Sequence, residues 1–158
     1  MIKTGDTIPN LALKSASKDF ISDFDLHKNF KNKRILLVCV PGAYTSTCHN
    51  KHMPPFIDNA NLIKKTKRID EIFCISVNDP YVMQQWNISL KADNIIFLSD
   101  GNSDFGIKTG LLKPFNHNLM GIRLSRSILI IDNLILENII IDKTGMFKTS
   151  YDEILKII

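Results

Sequence analysis

A cysteine that follows a strand and a tight loop and then opens a helix is placed to act as a nucleophile, and Pro41-Gly-Ala-Tyr-Thr-Ser-Thr-Cys48 has that order. The unpaired backbone N–H groups and positive dipole end of a helix N-terminus favour thiolate over thiol. Thiolates are the attacking species, and cysteines so placed commonly ionise well below the ~8.5 of a free thiol. Thr45, three residues earlier, has a hydroxyl that can turn toward the sulfur or toward whatever the sulfur attacks. Cys48-His49-x-x-His52 also has offsets that share a helical face. A structural zinc site wants four ligands, however, and no fourth is evident, so no metal is expected. His52 is read instead as packing near this helix or hydrogen-bonding to it.

The apolar run Arg34-Ile-Leu-Leu-Val-Cys-Val40 that leads into the loop has strand length and no polar alternation, as expected of a parallel strand buried on both faces. Residues 56–65 read as helix. Glu71-Ile-Phe-Cys-Ile-Ser-Val77 is a second buried strand, closed by Asn78-Asp79-Pro80, where Asp79 caps and Pro80 starts a helix reaching about Leu90. A third strand is expected over 94–98, a turn over 99–103 and a short helix over 104–109. Residues 111–121 have no period and read as an excursion loop. The runs 127–131 and 134–141 flank Asp132-Asn133, which has the chemistry of a hairpin turn, and 150–158 can close the chain as a helix. Before all of these, 10–14 reads as a short strand and 22–30 as a short helix or turn capped by Ser22 or Asp23. Strands alternating with helices and then a hairpin define an α/β fold around a mixed sheet, in one domain over 1–158.

Composition narrows the setting. The chain has 158 residues, enough for a core without disulfide staples, and its three cysteines do not form a secreted disulfide framework. A reducing compartment is expected: the cytoplasm, or an organelle matrix if a transit peptide has been trimmed. The N-terminus lacks the apolar core of a signal peptide. A net charge of +4 is spread widely, and its densest cluster, Lys64, Lys65, Lys67 and Arg68, falls where cations suit a helix C-terminus. No stacking aromatics accompany it, so neither nucleic acid nor membrane is expected as a partner.

Four segments together carry a family resemblance. Pro41, Thr45 and Cys48 reproduce a Pro-x-x-x-Thr-x-x-Cys motif, His52-Met-Pro54 follows it, and Ile75-Ser-Val-Asn-Asp79 and Trp86 recur at the expected distance. Met120-Gly-Ile-Arg-Leu-Ser-Arg126 completes the set. In these motifs, over nearly the whole chain, the sequence resembles the type II peroxiredoxins. The resemblance implies a thioredoxin-like fold with the peroxidatic cysteine at a helix N-terminus. It also implies a homodimer with no prosthetic cofactor, in which a thiol recycled by glutaredoxin, glutathione or thioredoxin reduces hydrogen peroxide and small alkyl hydroperoxides. Cys48 is then the peroxidatic cysteine, passing through a sulfenic acid, with Pro41, Thr45 and Arg126 as its catalytic companions. A peroxide-sensing relay or chaperone of the same fold is the alternative.

Other residues are given both a sharp and a bland reading. Cys74, 26 residues after Cys48, is a candidate resolving thiol by resemblance, but its apolar neighbours suit a strand cysteine packed as a small hydrophobe. Cys39 reads as core. Tyr44, Arg123 and His52 are candidates for the pocket, Arg123 as an anchor of the loop. Two positions depart from the family pattern: Ser46 replaces a proline, freeing an N–H, and Pro55 replaces a glycine, so that Pro54-Pro55 should kink the helix or start it afresh.

Overall fold

Continuous apolar strands are stable only inside a sheet covered on both faces. The computed structural model, which describes residues 1–158, places them there. The strands β1 (Ala12–Ala16), β2 (Ile21–Asp25), β3 (Arg34–Cys39), β4 (Glu71–Ser76), β5 (Ile96–Ser99), β8 (Ser127–Asp132) and β9 (Ile135–Ile141) form one sheet in the order β2-β1-β5-β4-β3-β8-β9. A separate two-stranded ribbon pairs β6 (Leu112–Pro114) with β7 (Ile122–Leu124). β3 runs parallel to β4 and antiparallel to β8, so the sheet is mixed, as expected.

Strand alternation sorts the core into two layers. Leu36, Val38, Cys74, Ile128 and Ile130 point to one face, where α2 (Met53–Thr66), α3 (Pro80–Leu90) and α5 (Tyr151–Leu155) contribute Phe56, Trp86 and Ile154. Ile35, Leu37, Cys39, Phe73, Ile75 and Leu129 point to the other, against Leu26 and Phe30 of α1 (Leu26–Phe30) and Phe105 of α4 (Asp104–Thr109). Cys48 belongs to the first layer. The period of two therefore puts Cys74 on the same side of the sheet as Cys48 and Cys39 on the opposite side.

Several expected boundaries shift. Residues 21–25 form β2 rather than the start of a helix, and Asp25, not Ser22 or Asp23, caps α1 by accepting from the Lys28 N–H. Only Phe24 of β2 is buried, so this edge strand has too little apolar alternation to be read as one. The supposed excursion loop supplies β6, held by pairing with β7 and not by any period of its own. The hairpin turn is Asn133-Leu134, one residue beyond the expected pair, because Asp132 pairs with Ile135. Both turn residues have positive φ, 44° and 73°, the twist a two-residue turn needs to match its strands. The start of α3 follows the sequence reading: Asp79 accepts from Tyr81 N and Val82 N, and Pro80 fills the first turn.

The helix after the loop opens unusually. Cys48–His52 is a π-helical turn in which Met53 N–H reaches back to the Cys48 carbonyl, and α2 begins at Met53 with prolines in its first turn. Pro54 and Pro55 cannot donate to the preceding turn, and their rings would clash with carbonyls four residues back. The wider turn makes room for them, a starting-afresh rather than a kink.

Candidate active site

The loop between β3 and the helix is fixed from beneath. Asn78 Oδ1 accepts from Ala43 N–H at 2.9 Å and from the Ser76 hydroxyl at 2.7 Å. The Arg123 Nε donates to the Met120 carbonyl at 2.7 Å, and a Cβ on Gly42 would meet Thr45 Cγ2 at 3.2 Å, Met120 Cε at 3.3 Å and Arg123 Nη1 at 3.4 Å. The missing Cβ at Gly42 lets the Thr45, Met120 and Arg123 side chains lie this close to the loop, while the only hydrogen bond of the Arg123 side chain stays within its own segment. The first helical bond runs from His49 N–H to the Thr45 carbonyl, while the N–H groups of Ser46, Thr47 and Cys48 have no protein partner. Three free donors thus converge at the turn that carries the sulfur.

Beside this turn lies a cavity of about 230 Å³ lined by Pro41, Thr45, Ser46, Thr47 and Arg126, with Lys113, Phe115, Asn118, Met120 and the 142–145 segment as its far wall. Pro41, Thr45 and Arg126 are thus brought together. Cys48 itself is fully buried and does not line the cavity. Its side chain belongs to the apolar layer that also holds Val38, Val40 and Cys74. The Thr45 hydroxyl donates to the Gly42 carbonyl at 2.9 Å, leaving its oxygen free to accept.

Arg126 is held at three removes from the sequence motif. Its Nε donates to the Gly145 carbonyl at 3.0 Å and its Nη1 to His52 Nδ1 at 3.0 Å. His52 Nε2–H in turn donates to the Thr149 carbonyl at 2.9 Å, and the ring packs edge-on against Phe56. The segment supplying both carbonyls is gathered around Asp142, whose oxygens accept from Phe147 N, Lys148 N, Thr149 N and Thr149 Oγ1. Burial alone would raise the Asp142 carboxyl, but those four donors outweigh it and hold the group below its ordinary range. Asp142, Gly145 and Thr149 were not foreseen. Nothing local marks them, since they act across sequence separations of 19 and 97 residues.

The remaining candidates separate. Tyr44 stands at φ 60°, half-exposed, stacked on His49, whose Nδ1 accepts from Trp86 Nε1 at 2.9 Å; neither ring lines the cavity. Both imidazoles near Cys48 are thereby engaged in hydrogen bonds to other protein groups. Cys74 is enclosed at the centre of β4 between Val38 and Phe97, and burial, with Cys48 and Cys39 nearby, pushes its thiol well above the usual value. Burial likewise pushes Cys39 up to about 12.

His52 makes the fold acid-sensitive. Burial first, and the Arg126 charge second, lower it to about 4 from an ordinary 6.5. The unfolded chain therefore takes up a proton before the folded one does. Stability is complete above pH 6.5 and declines as pH falls toward 4, by up to about 3 kcal/mol. Asp142, with its lowered value, withdraws its contribution only at still lower pH. Urea midpoints of wild type and His52→Leu across this range should converge as the pH drops, and parallel curves would exclude His52 as the cause.

The arrangement of a mixed sheet, an interrupted helix and a cysteine at its N-terminal turn is that of a thioredoxin-like thiol enzyme. The redoxin family model matches residues 3–154. Peroxiredoxin-2B of Arabidopsis thaliana is 34% identical over 98% of this chain and 97% of its own length, and Peroxiredoxin-2C of Oryza sativa subsp. japonica is 36% identical over the same shares. Reduced Prx3 from Vibrio vulnificus in complex with hydrogen peroxide superposes with a TM-score of 0.92 at 31% identity, covering 99% of both chains. The Plasmodium falciparum antioxidant protein, a 1-Cys peroxiredoxin, gives 0.92 at 30% identity, covering 99% of this chain and 98% of that one. The chain belongs to the redoxin family as a type II peroxiredoxin, a thiol-dependent peroxidase.

Proposed function

We propose that Cys48 is the peroxidatic nucleophile for hydrogen peroxide and small alkyl hydroperoxides. The observation that carries this reading is the convergence of Thr45, Arg126 and the free N–H groups of residues 46–48 around one small cavity beside the turn that carries that sulfur. The Cys48 thiolate attacks the distal peroxide oxygen: an S–O bond forms as the O–O bond breaks, sulfur becomes a sulfenic acid, and the departing oxide takes a proton to leave as water or alcohol. The Thr45 oxygen accepts the peroxide O–H, its own proton being engaged by Gly42. Arg126 and the helix N–H groups stabilise the charge moving onto the leaving oxygen. Pro41 closes the cavity without offering a competing donor. That the Vibrio vulnificus relative binds hydrogen peroxide supports the substrate.

No prosthetic group is required, since a thiol reductant (glutaredoxin with glutathione, or thioredoxin) supplies the two electrons that restore Cys48, in a reducing compartment such as the cytoplasm. A homodimer is supported by the exposed Leu119, Ile122 and Phe147, close in sequence to the cavity residues Asn118, Met120 and Gly145, as apolar surface that a second copy would cover. Intact mass after one equivalent of peroxide, followed by peptide mapping, tests the scheme. A gain of one oxygen confined to Cys48 is expected. A loss of two hydrogens with a Cys48–Cys74 linkage would assign the resolving role to Cys74, which its place at mid-strand opposes. An unmodified Cys48 would overturn the reading.

A further inference from the structure

Buried arginines ordinarily meet a carboxylate, because an uncompensated charge away from water is costly. Arg126 is only 8% exposed, yet it takes part in none of the ion pairs in the structure. Its two hydrogen bonds go to neutral acceptors, the Gly145 carbonyl and His52 Nδ1. The carboxylate of the same segment, Asp142, has both oxygens turned to backbone N–H groups and the Thr149 hydroxyl. The histidine has one arrangement only. A carbonyl can only accept, so the Thr149 bond puts the proton on Nε2 and leaves Nδ1 as a lone pair facing Arg126.

We infer that His52 is a positioning residue that tethers the Arg126 guanidinium through a neutral acceptor, fixing its free edge on the cavity without cancelling its charge. The Nη2 group makes no hydrogen bond to the protein, and Arg126 lines the cavity, so that edge is free for a peroxide. A carboxylate in the place of His52 would hold the guanidinium equally well but would absorb the charge the reaction uses. Burial agrees with this assignment by keeping the ring uncharged at neutral pH. The charged groups facing the ring are Arg126 from the β7–β8 connection and Asp142 from the segment after β9. The inference rests on Cys48 being the nucleophile.

Three variants decide it, each measured for the second-order rate constant with hydrogen peroxide and for the pH at which thiolate absorbance develops. Cys39 and Cys74 ionise too high to interfere with that absorbance. His52→Leu, similar in size but without an acceptor, should lower the rate constant roughly 10–100-fold. His52→Asn, whose Oδ1 stands where Nδ1 stands, should restore most of the loss. His52→Asp offers an acceptor in the same place with a charge, so the thiolate should develop about one pH unit or more higher, with activity recovering in alkali. An unchanged His52→Leu enzyme, an Asn variant as poor as Leu, or an Asp variant indistinguishable from Asn would each overturn the assignment. Should the leucine variant not fold, the Asn and Asp pair still decides. A wild type whose Cys48 resists peroxide would sink the underlying reading instead, before any variant is compared.

Discussion

A Cys48→Ser protein is expected to consume no peroxide beyond what the reductant removes unaided. The swap keeps the volume within the apolar layer of Val38, Val40 and Cys74 and leaves the loop bonds of Thr45 and Ala43 untouched, so the fold should persist. A serine hydroxyl is not ionised at neutral pH, and oxygen cannot take the oxidised states open to sulfur. Cys39→Ser should turn over peroxide like wild type, because that sulfur lies in the layer on the far side of the sheet, although burying its hydroxyl should cost stability. A peroxide-consumption assay with a supplied dithiol compares the three proteins directly. Wild-type activity in Cys48→Ser would move the chemistry to another residue.

How much of this was legible in the sequence depends on whether the cause was local. The four central strands were readable because burial on both faces demands uninterrupted apolar residues, as in Leu36–Cys39 paired with Ile72–Ile75. The edge strand β2 was not, since one buried phenylalanine among Ser22, Asp23 and Asp25 resembles a capped turn. The hairpin slipped by one residue because Leu134 adopts a left-handed conformation that its own side chain does not favour. What holds it is the main chain: Ile8 N–H donates to the Leu134 carbonyl, and Asn133 N–H donates to Lys33. At the site, Thr45, Cys48 and Arg126 could be named from their motifs. The support of Arg126 could not, because Asp142 acts on it through Gly145, Thr149 and His52, a chain of contacts formed only by the folded backbone. A helix N-terminus at Cys48 was legible in the sequence, but its π-helical form and the full burial of the sulfur were not.

Arg126→Gln is expected to lower the second-order rate constant for peroxide by roughly 10²–10³-fold, the loss typical of removing one preorganised donor from a developing oxyanion. The amide retains N–H donors but loses the charge, and it is too short to reach Gly145 and His52 while still facing the cavity. Arg126→Lys should recover little. A lysine brings back the charge as a single point and cannot span the Gly145 carbonyl, His52 Nδ1 and a peroxide oxygen at once, as the planar fork does. The reductant's KM should change little in either variant, because the loss falls on the oxidative step. Stopped-flow oxidation followed through Trp86, the chain's single tryptophan, separates the two half-reactions, since its indole is bonded to His49 next to the reacting sulfur. A glutamine variant oxidised at the wild-type rate would show that the helix N–H groups alone carry the charge and that Arg126 is structural. A lysine variant restored to wild type would show that charge suffices and that the three-way geometry around His52 is dispensable.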